Sequence, residues 1–455
     1  MKLQRLLPFM LVVALAANTT TTFTSCKKDP DPIDTTDTPD PVVRELTGDI
    51  TADKTLDNGG VWTLKGYVYV KEGATLTIQA GTIIKSDIVD KGAIIVERGG
   101  KINAVGTSAS PIVFTSGQPK GQRRPGDWGG IIILGKAQTN RTTEPTIEGG
   151  VNRNYGGNDN GDNSGVLQYV RIEFAGIAAA PGSEINGLTL GGVGSGTTID
   201  HVMVSYGNDD GYEFFGGTVN AKYLIAFACL DDDFDFDFGY RGNLQYGVSA
   251  KHPQYADIGD ASNGIECDND PTGLTTAPFT RPVISNFTFV GPNGRSNTQA
   301  NHNYANRWRR STQFVLRNSV MIGHQKGGFS IESSASAASF LQGTDAQFKN
   351  NLVHAIAKPF FGNTGSGLTD STVASLCTTQ FGCTKLDSAN QANLTDPWSL
   401  TAPNFTPKSN SMAKLGASFN GLDGWFTPGQ FVGAFAEGDN WTNGWANFDP
   451  NNADY

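Results

Sequence analysis

From Glu45 onward the apolar residues come in short, β-branched runs, each closed by Gly, Asn or Asp. Gly73 to Asp87 reads GATLTIQAGTIIKSD, Gly92 to Ser116 reads GAIIVERGGKINAVGTSASPIVFTS, and Gly126 to Gly135 reads GDWGGIIILG. Alternation over such lengths is a strand pattern, because successive strand side chains point to opposite faces. No long stretch carries the 3.6-residue period of a helix. One phrase then returns in series: LQYVRIEFAG from Leu167, IDHVMVSYG from Ile199, AKYLIAFAC from Ala221, NLQYGVSA from Asn243, ISNFTFVG from Ile284 and LRNSVMIG from Leu316. Laying Val202–Tyr206 on Tyr223–Phe227 aligns two copies. A phrase repeated at this spacing predicts a β-solenoid, in which coils of three short strands stack at about 4.8 Å and inward apolar residues form ladders. A sandwich of antiparallel strands would not repeat one phrase in series. The expectation is an all-β parallel β-helix, a single elongated domain over residues 45–455. From about residue 390, a region containing Trp425, Trp441 and Trp445 is expected to cap the open end, which would otherwise expose strand edges and core.

The first residues follow another pattern. Lys2 and Arg5 precede an apolar run, Leu6 to Ala17, too short to span a bilayer as a helix. A polar stretch leads to Phe23-Thr24-Ser25-Cys26, and small residues before a cysteine resemble a lipobox. Residues 1–25 therefore read as a lipoprotein signal peptide, with Cys26 the lipidation site. Residues 26–44, rich in Asp, Pro and Thr, lack hydrophobic periodicity and read as a tether. The start of that tether, Lys27-Lys28-Asp29-Pro30-Asp31, resembles the signals that send lipoproteins to the cell surface. The expected location is the outer membrane, lipid-anchored and surface-exposed.

Net charge is −10, from 34 Lys and Arg against 44 Asp and Glu, which argues against nucleic acid as a partner. Low charge density with 56 glycines suits a turn-rich extracellular β protein. Four cysteines remain besides Cys26, an even number in an oxidising compartment. Cys377 and Cys383 close a short loop and are expected to pair, which leaves Cys229 with Cys267. Their spacings match no zinc pattern.

The most informative constellation is acidic. Asp209, Asp210 and Glu213 belong to one coil, and Asp231, Asp232, Asp233, Asp235 and Asp237 to the next. In Asp233 to Phe238 acid and phenylalanine alternate, so Phe234, Phe236 and Phe238 are expected in the core and the carboxylates outside. Stacked coils set Asp210 beside Asp232, Glu213 beside Asp235 and Phe214 beside Phe236. Like charges so placed repel by about 3 kcal/mol near a protein surface and need compensation. A cation, Arg241 or raised pKa values would supply it, and hard oxygen ligands favour Ca²⁺. A solvated acidic turn, a calcium site on all eight carboxylates and a catalytic set (Asp209, Asp210, Asp232, Asp233, Arg241) are the three readings. Glu266, Asp268 and Asp270 would border the same groove if Cys229 and Cys267 pair. Trp308, Arg309 and Arg310 form a basic and aromatic spot, either a seat for an anionic sugar or a loop neutralising nearby Asp. The five histidines show no metal or triad spacing.

Six phrases together resemble a group of Bacteroidota surface lipoproteins: GTIIKSD from Gly81, GDWGGIIILGKA from Gly126, LQYVRIEFAG from Leu167, NDDGYEFFGG from Asn208, DDDFDFDFGYRG from Asp231, and GAFAEGDNWTNGWANFDP from Gly433. The resemblance implies a right-handed parallel β-helix of the pectin-lyase-like kind. The group has no established activity. Some members are labelled multidrug transporters, a label that gains nothing from a chain with no apolar run long enough to span. Among enzymes of this fold, calcium-dependent polysaccharide lyases use Asp clusters with Lys or Arg as base. Polygalacturonase-like hydrolases use Asp pairs, but their Gly-His-Gly and Arg-Ile-Lys signatures are missing here. The expected function is non-enzymatic binding of a glycan or other extracellular ligand, in the service of an outer-membrane transporter. The alternatives are a calcium-dependent lyase or glycoside hydrolase on the acidic wall, and a structural or adhesive surface protein.

Overall fold

The short β-branched runs become strands that pair in parallel, each with its counterpart one coil further on. The computed structural model describes residues 44–180 and 183–455. The signal segment, Cys26 and the tether up to residue 43 lie outside the described residues. The strands wind into a right-handed parallel β-helix whose coils pair along three parallel faces. One of these, the site sheet, runs through Leu188–Gly191, Tyr212–Phe215, Phe234–Asp237, Ile265–Cys267 and Arg307–Trp308. The other two share long strands, Gly165–Glu173, Thr198–Ser205, Asn220–Phe227, Asn243–Ala250 and Val283–Val290. Each of these bends at one residue, so its first half lies in one sheet and its second half in the next.

The bending residues are Tyr169, His201, Tyr223, Tyr246 and Asn286, all with φ between 50° and 63°. Left-handed backbone costs a residue with a Cβ about 1–2 kcal/mol, and Asn tolerates it best. The aromatic rings offset that cost by stacking on one another outside the corner. Tyr169 and His201 are 4.3 Å apart, His201 and Tyr223 4.3 Å, and Tyr223 and Tyr246 5.0 Å. This corner also corrects the alignment of the repeat. Val202 pairs with Leu224 and Met203 with Ile225, because Tyr223 is the corner residue and matches His201.

Inside, apolar ladders follow the register. Tyr212 stacks on Phe234 at 5.0 Å, and Phe214 on Phe236 at 4.9 Å. The alternation in the acidic segment holds for Phe234 and Phe236, both fully buried. It fails at both edges. Phe238 leaves the core and stacks on Phe215 at 5.6 Å, while Asp233 precedes the strand and turns inward.

The C-terminal residues do not cap an end. Phe405, Val432, Phe435, Trp445 and Phe448 pack against Met203, Ile225, Val248, Val290 and Val320 on the outside of the helix wall. Trp445 meets Tyr169 edge-on at 5.8 Å, and the Tyr455 hydroxyl donates to Glu173 at 2.7 Å. The segment is a strap running back along the wall, because the outward apolar residues of that sheet give it more to cover than an end does. Phe340, Val373 and Phe381, from the helical segments Ser334–Gln342, Asp370–Ser375 and Leu376–Gln380 and the turn after them, extend the core instead.

All four described cysteines are free and buried. The expected pairs Cys377–Cys383 and Cys229–Cys267 are not formed. Cys267 points into the core ladder below Phe236, with its Sγ 2.9 Å from Thr312 Oγ1. Cys383 Sγ instead donates to the Phe348 carbonyl at 3.1 Å.

Candidate functional site

Glu213, Asp235 and Glu266 occupy successive outward positions of the site sheet, and Arg307 follows them. The turns before these strands add the remaining acids. There the chain is locked coil to coil by side chains accepting from the backbone above. Asp210 Oδ1 accepts the Asp232 N–H at 2.9 Å, Asp232 Oδ1 the Asn263 N–H at 2.6 Å, and Asn263 Oδ1 the Tyr304 N–H at 3.1 Å. This ladder fixes where the second oxygen of each Asp stands.

Three groups of carboxylates result, each with oxygens within 4.8 Å of one another: Asp209, Asp210 and Asp231; Asp210, Glu213 and Asp235; Asp232, Asp235 and Glu266. Asp210 and Asp235 belong to two groups each, so the three merge into one wall. Asp210, Glu213, Asp232 and Glu266 are buried, while Asp209, Asp231 and Asp235 reach solvent. The Oδ1 atoms of Asp231 and Asp235 are buried and accept no hydrogen bond. Donor-poor oxygens of this kind, at this mutual spacing, suit a hard divalent cation.

Burial, then mutual repulsion, raises the pKa of each of these groups. Asp209 is pushed up to about 7, by burial first and then by Glu148 and Glu184. Asp231 rises to about 8 through burial and Asp209, and Glu266 to about 8 through burial and Asp232. Asp210, Glu213, Asp232 and Asp235 are held well above the usual carboxylate range, with burial again the first cause. The sign of the resulting pH dependence follows. Between the ordinary value of 3.8 for Asp and these raised values, the folded protein keeps protons that the unfolded chain has released. Its stability therefore falls as pH rises through that window. Buried His252 and His302, lowered to about 4 by burial, act oppositely, but their window closes at the ordinary 6.5. With EDTA present, the melting temperature is expected to drop from about pH 6.5 to about pH 8.5. A rise over that interval, measured by circular dichroism, would contradict the wall's electrostatics.

The structure brings together Asp209, Asp210, Glu213, Asp231, Asp232 and Asp235, and leaves out the other candidates. Asp233 is fully buried and pairs with equally buried Lys251 at 3.1 Å, so it faces away from the wall. Asp237 lies one outward position further along its strand than Asp235, with its Oδ1 accepting the Phe238 N–H at 2.6 Å. Arg241 is exposed beyond the next turn, where it reaches toward the Phe279 carbonyl, and takes no part in the cluster. Trp308 is fully buried, stacked on Phe314 at 4.0 Å, and offers no face to a sugar. Its place on the inward side follows from the register with Cys267. Arg309 and Arg310 neutralise acids: both bond Asp268, at 2.6 and 2.5 Å, and Arg309 also meets Glu266. Arg307 bridges Glu266 and Glu332, each at 2.8 Å.

Glu266 joins the wall through sheet register alone, without the disulfide that sequence reasoning required. Two further residues carry no local signal. Glu148 arrives on a long loop between strands, and Asn186 stands just before Leu188–Gly191; Asn186 Nδ2 donates to Glu148 at 3.1 Å and to Glu213.

Residues 48–401 match the sequence model of a family described as the pectate-lyase like beta helix domain. No curated protein matches. Among solved structures, the crystal structure of pectate lyase Pel9A is similar over 81% of this chain and 89% of that one, at 14% identity and a TM-score of 0.35. At that distance the likeness carries no inference about chemistry.

Proposed function

The chain belongs to the pectate-lyase-like β-helix family, and on that premise we propose that it is a surface lipoprotein that binds a glycan, through a Ca²⁺ ion held on the acidic wall, without cleaving it. One observation carries the reading: linked groups of carboxylates include two buried oxygens, on Asp231 and Asp235, that accept no hydrogen bond. Two full charges within 4.8 Å of each other repel by about 3 kcal/mol or more at the effective dielectric of a protein surface. A divalent ion converts that repulsion into attraction. Hydroxyl or carboxyl oxygens of a glycan would complete its coordination on the solvent side, where Asp209, Asp231 and Asp235 are open. Acylation of Cys26 would hold this wall at the outer membrane surface, where an outer-membrane transporter is a fitting partner.

Binding without cleavage is favoured by the state of the basic residues. A lyase needs a free base beside the ion. Lys251 is locked to Asp233, and Arg307, Arg309 and Arg310 are all ion-paired. The second reading, a calcium-dependent lyase, rests on Arg309, which lies against Glu266 and would have to leave both Glu266 and Asp268 to act as the base. Purified protein on immobilised polysaccharides, with Ca²⁺ or EDTA, separates the two. Calcium-dependent retention with no release of unsaturated or reducing ends is the expected result. Product release, or retention unchanged by EDTA, contradicts it.

A further inference from the structure

Within the C-terminal strap, residues 418–431 form a loop tied to the helix wall by reciprocal amide bonds. Asn318 Oδ1 accepts the Ser418 N–H at 2.9 Å, and its Nδ2 donates to the Ser418 carbonyl at 3.1 Å. Gln245 treats Thr427 in the same way, with both bonds at 2.8 Å. Trp425 stands at the tip of this loop. Of the seven tryptophans, the other six lie in or against the buried cores, and Trp425 does not. Its ring is half-buried all the same. Lys222 Nζ lies over the ring at 4.5 Å and donates to the Trp425 carbonyl at 3.2 Å and to Thr427 Oγ1 at 2.9 Å. Phe426 meets the ring at a right angle, 5.1 Å away. The indole is therefore fixed in orientation while contributing to no core.

Trp425 borders a cavity of about 300 Å³ over the first halves of Thr198–Ser205 and Asn220–Phe227. Thr198, Asp200, Asn220 and Lys222 line it with the indole. Sheet register sets Thr198 beside Asn220 and Asp200 beside Lys222, all on the outward face. Thr198 is exposed and the other three are half-buried, so each reaches solvent. Asn220 Oδ1 accepts the Asn243 N–H at 2.8 Å, which leaves the two amide donors of Asn220 unbonded among the described residues. Asp200 meets His201 Nδ1 through Oδ1, which leaves Oδ2 unbonded there too. The cavity thus joins free donors, a free acceptor and a preset aromatic ring, at the small end of ligand-site sizes.

We infer that this cavity binds one ring of a neutral, hydroxyl-rich glycan, with neighbouring hydroxyls bonding Asp200 and Asn220 and the C–H side of the ring packed on Trp425. The site lies on another sheet from the acidic wall and shares no residue with it, so it goes beyond the calcium reading and is independent of it. Three arguments select the ligand class. A hydroxyl both donates and accepts, so two neighbouring ones serve the Asp200 acceptor and the Asn220 donors together. A sugar ring offers an apolar C–H surface, the match for an aromatic ring already held in place. The lining carries one acid and one base, so a charged ligand gains no net attraction. One ring on a site of this size binds weakly, with a Kd of about 1 mM. That is too weak to hold the protein on an immobilised polysaccharide, so retention there still reports the acidic wall.

The test titrates the full mature protein, in EDTA, with hexamers of glucose, mannose, xylose and galactose, and with hexagalacturonate as the charged comparison. At least one neutral hexamer is expected to bind, and more tightly than hexagalacturonate. Trp425→Ala is expected to weaken that hexamer about tenfold. Asn220→Asp keeps an oxygen for the Asn243 N–H but loses the free donors, and is expected to weaken it about fivefold. Both variants are expected to melt with the parent, since neither side chain belongs to a core. Should Trp425→Ala disturb the strap, Asn220→Asp decides. Asp235→Asn, on the acidic wall, is expected to leave the Kd unchanged. No neutral hexamer binding, tighter binding of hexagalacturonate, or an unchanged Kd in both cavity variants overturns the inference. A Kd that weakens in Asp235→Asn instead also overturns it, by placing the sugar on the wall.

Discussion

Replacing Phe236 with alanine is expected to destabilise the protein by about 3–5 kcal/mol. The side chain is fully buried on an inward position of the site sheet. It stacks on Phe214 at 4.9 Å within the ladder and on Tyr240 at 5.3 Å beside it. Close-packed interiors relax only partly around a deletion of this size, so the cost joins lost transfer energy to a residual cavity. In a solenoid each coil is stabilised mainly by its neighbours, so the loss is felt above and below as well. Phe238→Ala is the control two residues away. Its ring is half-buried on the outer surface against Phe215, and its removal is expected to cost far less. Urea unfolding of both variants checks the pair. Equal effects would mean that the strand Phe234–Asp237 is set in the wrong register.

The coil architecture is legible from the sequence because a stacked repeat forces like residues onto like positions. The same force makes Glu213, Asp235, Phe214 and Phe236 readable in advance: their offset equals the register of the two strands. Legibility ends where the local pattern stops deciding. Asp233 continues the acid–phenylalanine alternation on paper, yet it sits before the strand begins, where Lys251 from the neighbouring sheet draws it inward. Trp308 beside three arginines reads as a surface cluster, but a strand alternates faces, and Trp308 takes the inward one. Glu148 belongs to a long loop whose path is set by tertiary contacts, and no motif marks it. The aromatic residues near the C-terminus are recognisable as packing residues. Their partners, Tyr169, His201 and Tyr223, are visible only once the left-handed corner stacks them.

The second large effect is stabilisation by calcium. An ion that binds only the folded state adds about 2.7 kcal/mol at one hundred times its Kd. The stabilisation is expected to grow between about pH 6.5 and 8.5, since the ion replaces protons that the raised carboxylates otherwise hold. Asp235→Asn and Asp232→Asn give the account its sharpest contrast. Asp235 belongs to two of the three carboxylate groups and has a buried oxygen with no donor. An amide there removes charge without removing volume, so the metal-free variant is expected to be as stable as the parent or more so. Asp232→Asn keeps an oxygen for the Asn263 N–H while losing the charge. Both variants are expected to lose most of the response to calcium.

The most direct measurement is thermal melting of the parent protein and both variants in EDTA, in millimolar Ca²⁺ and in millimolar Mg²⁺. The account predicts a rise in melting temperature with Ca²⁺, reversed by chelator. Mg²⁺ is predicted to have little effect, because it demands near-ideal octahedral geometry. The calcium rise is predicted to shrink in Asp235→Asn and Asp232→Asn. Superimposable curves for the parent protein in all three conditions would contradict the account and leave the acidic wall a surface that holds no ion.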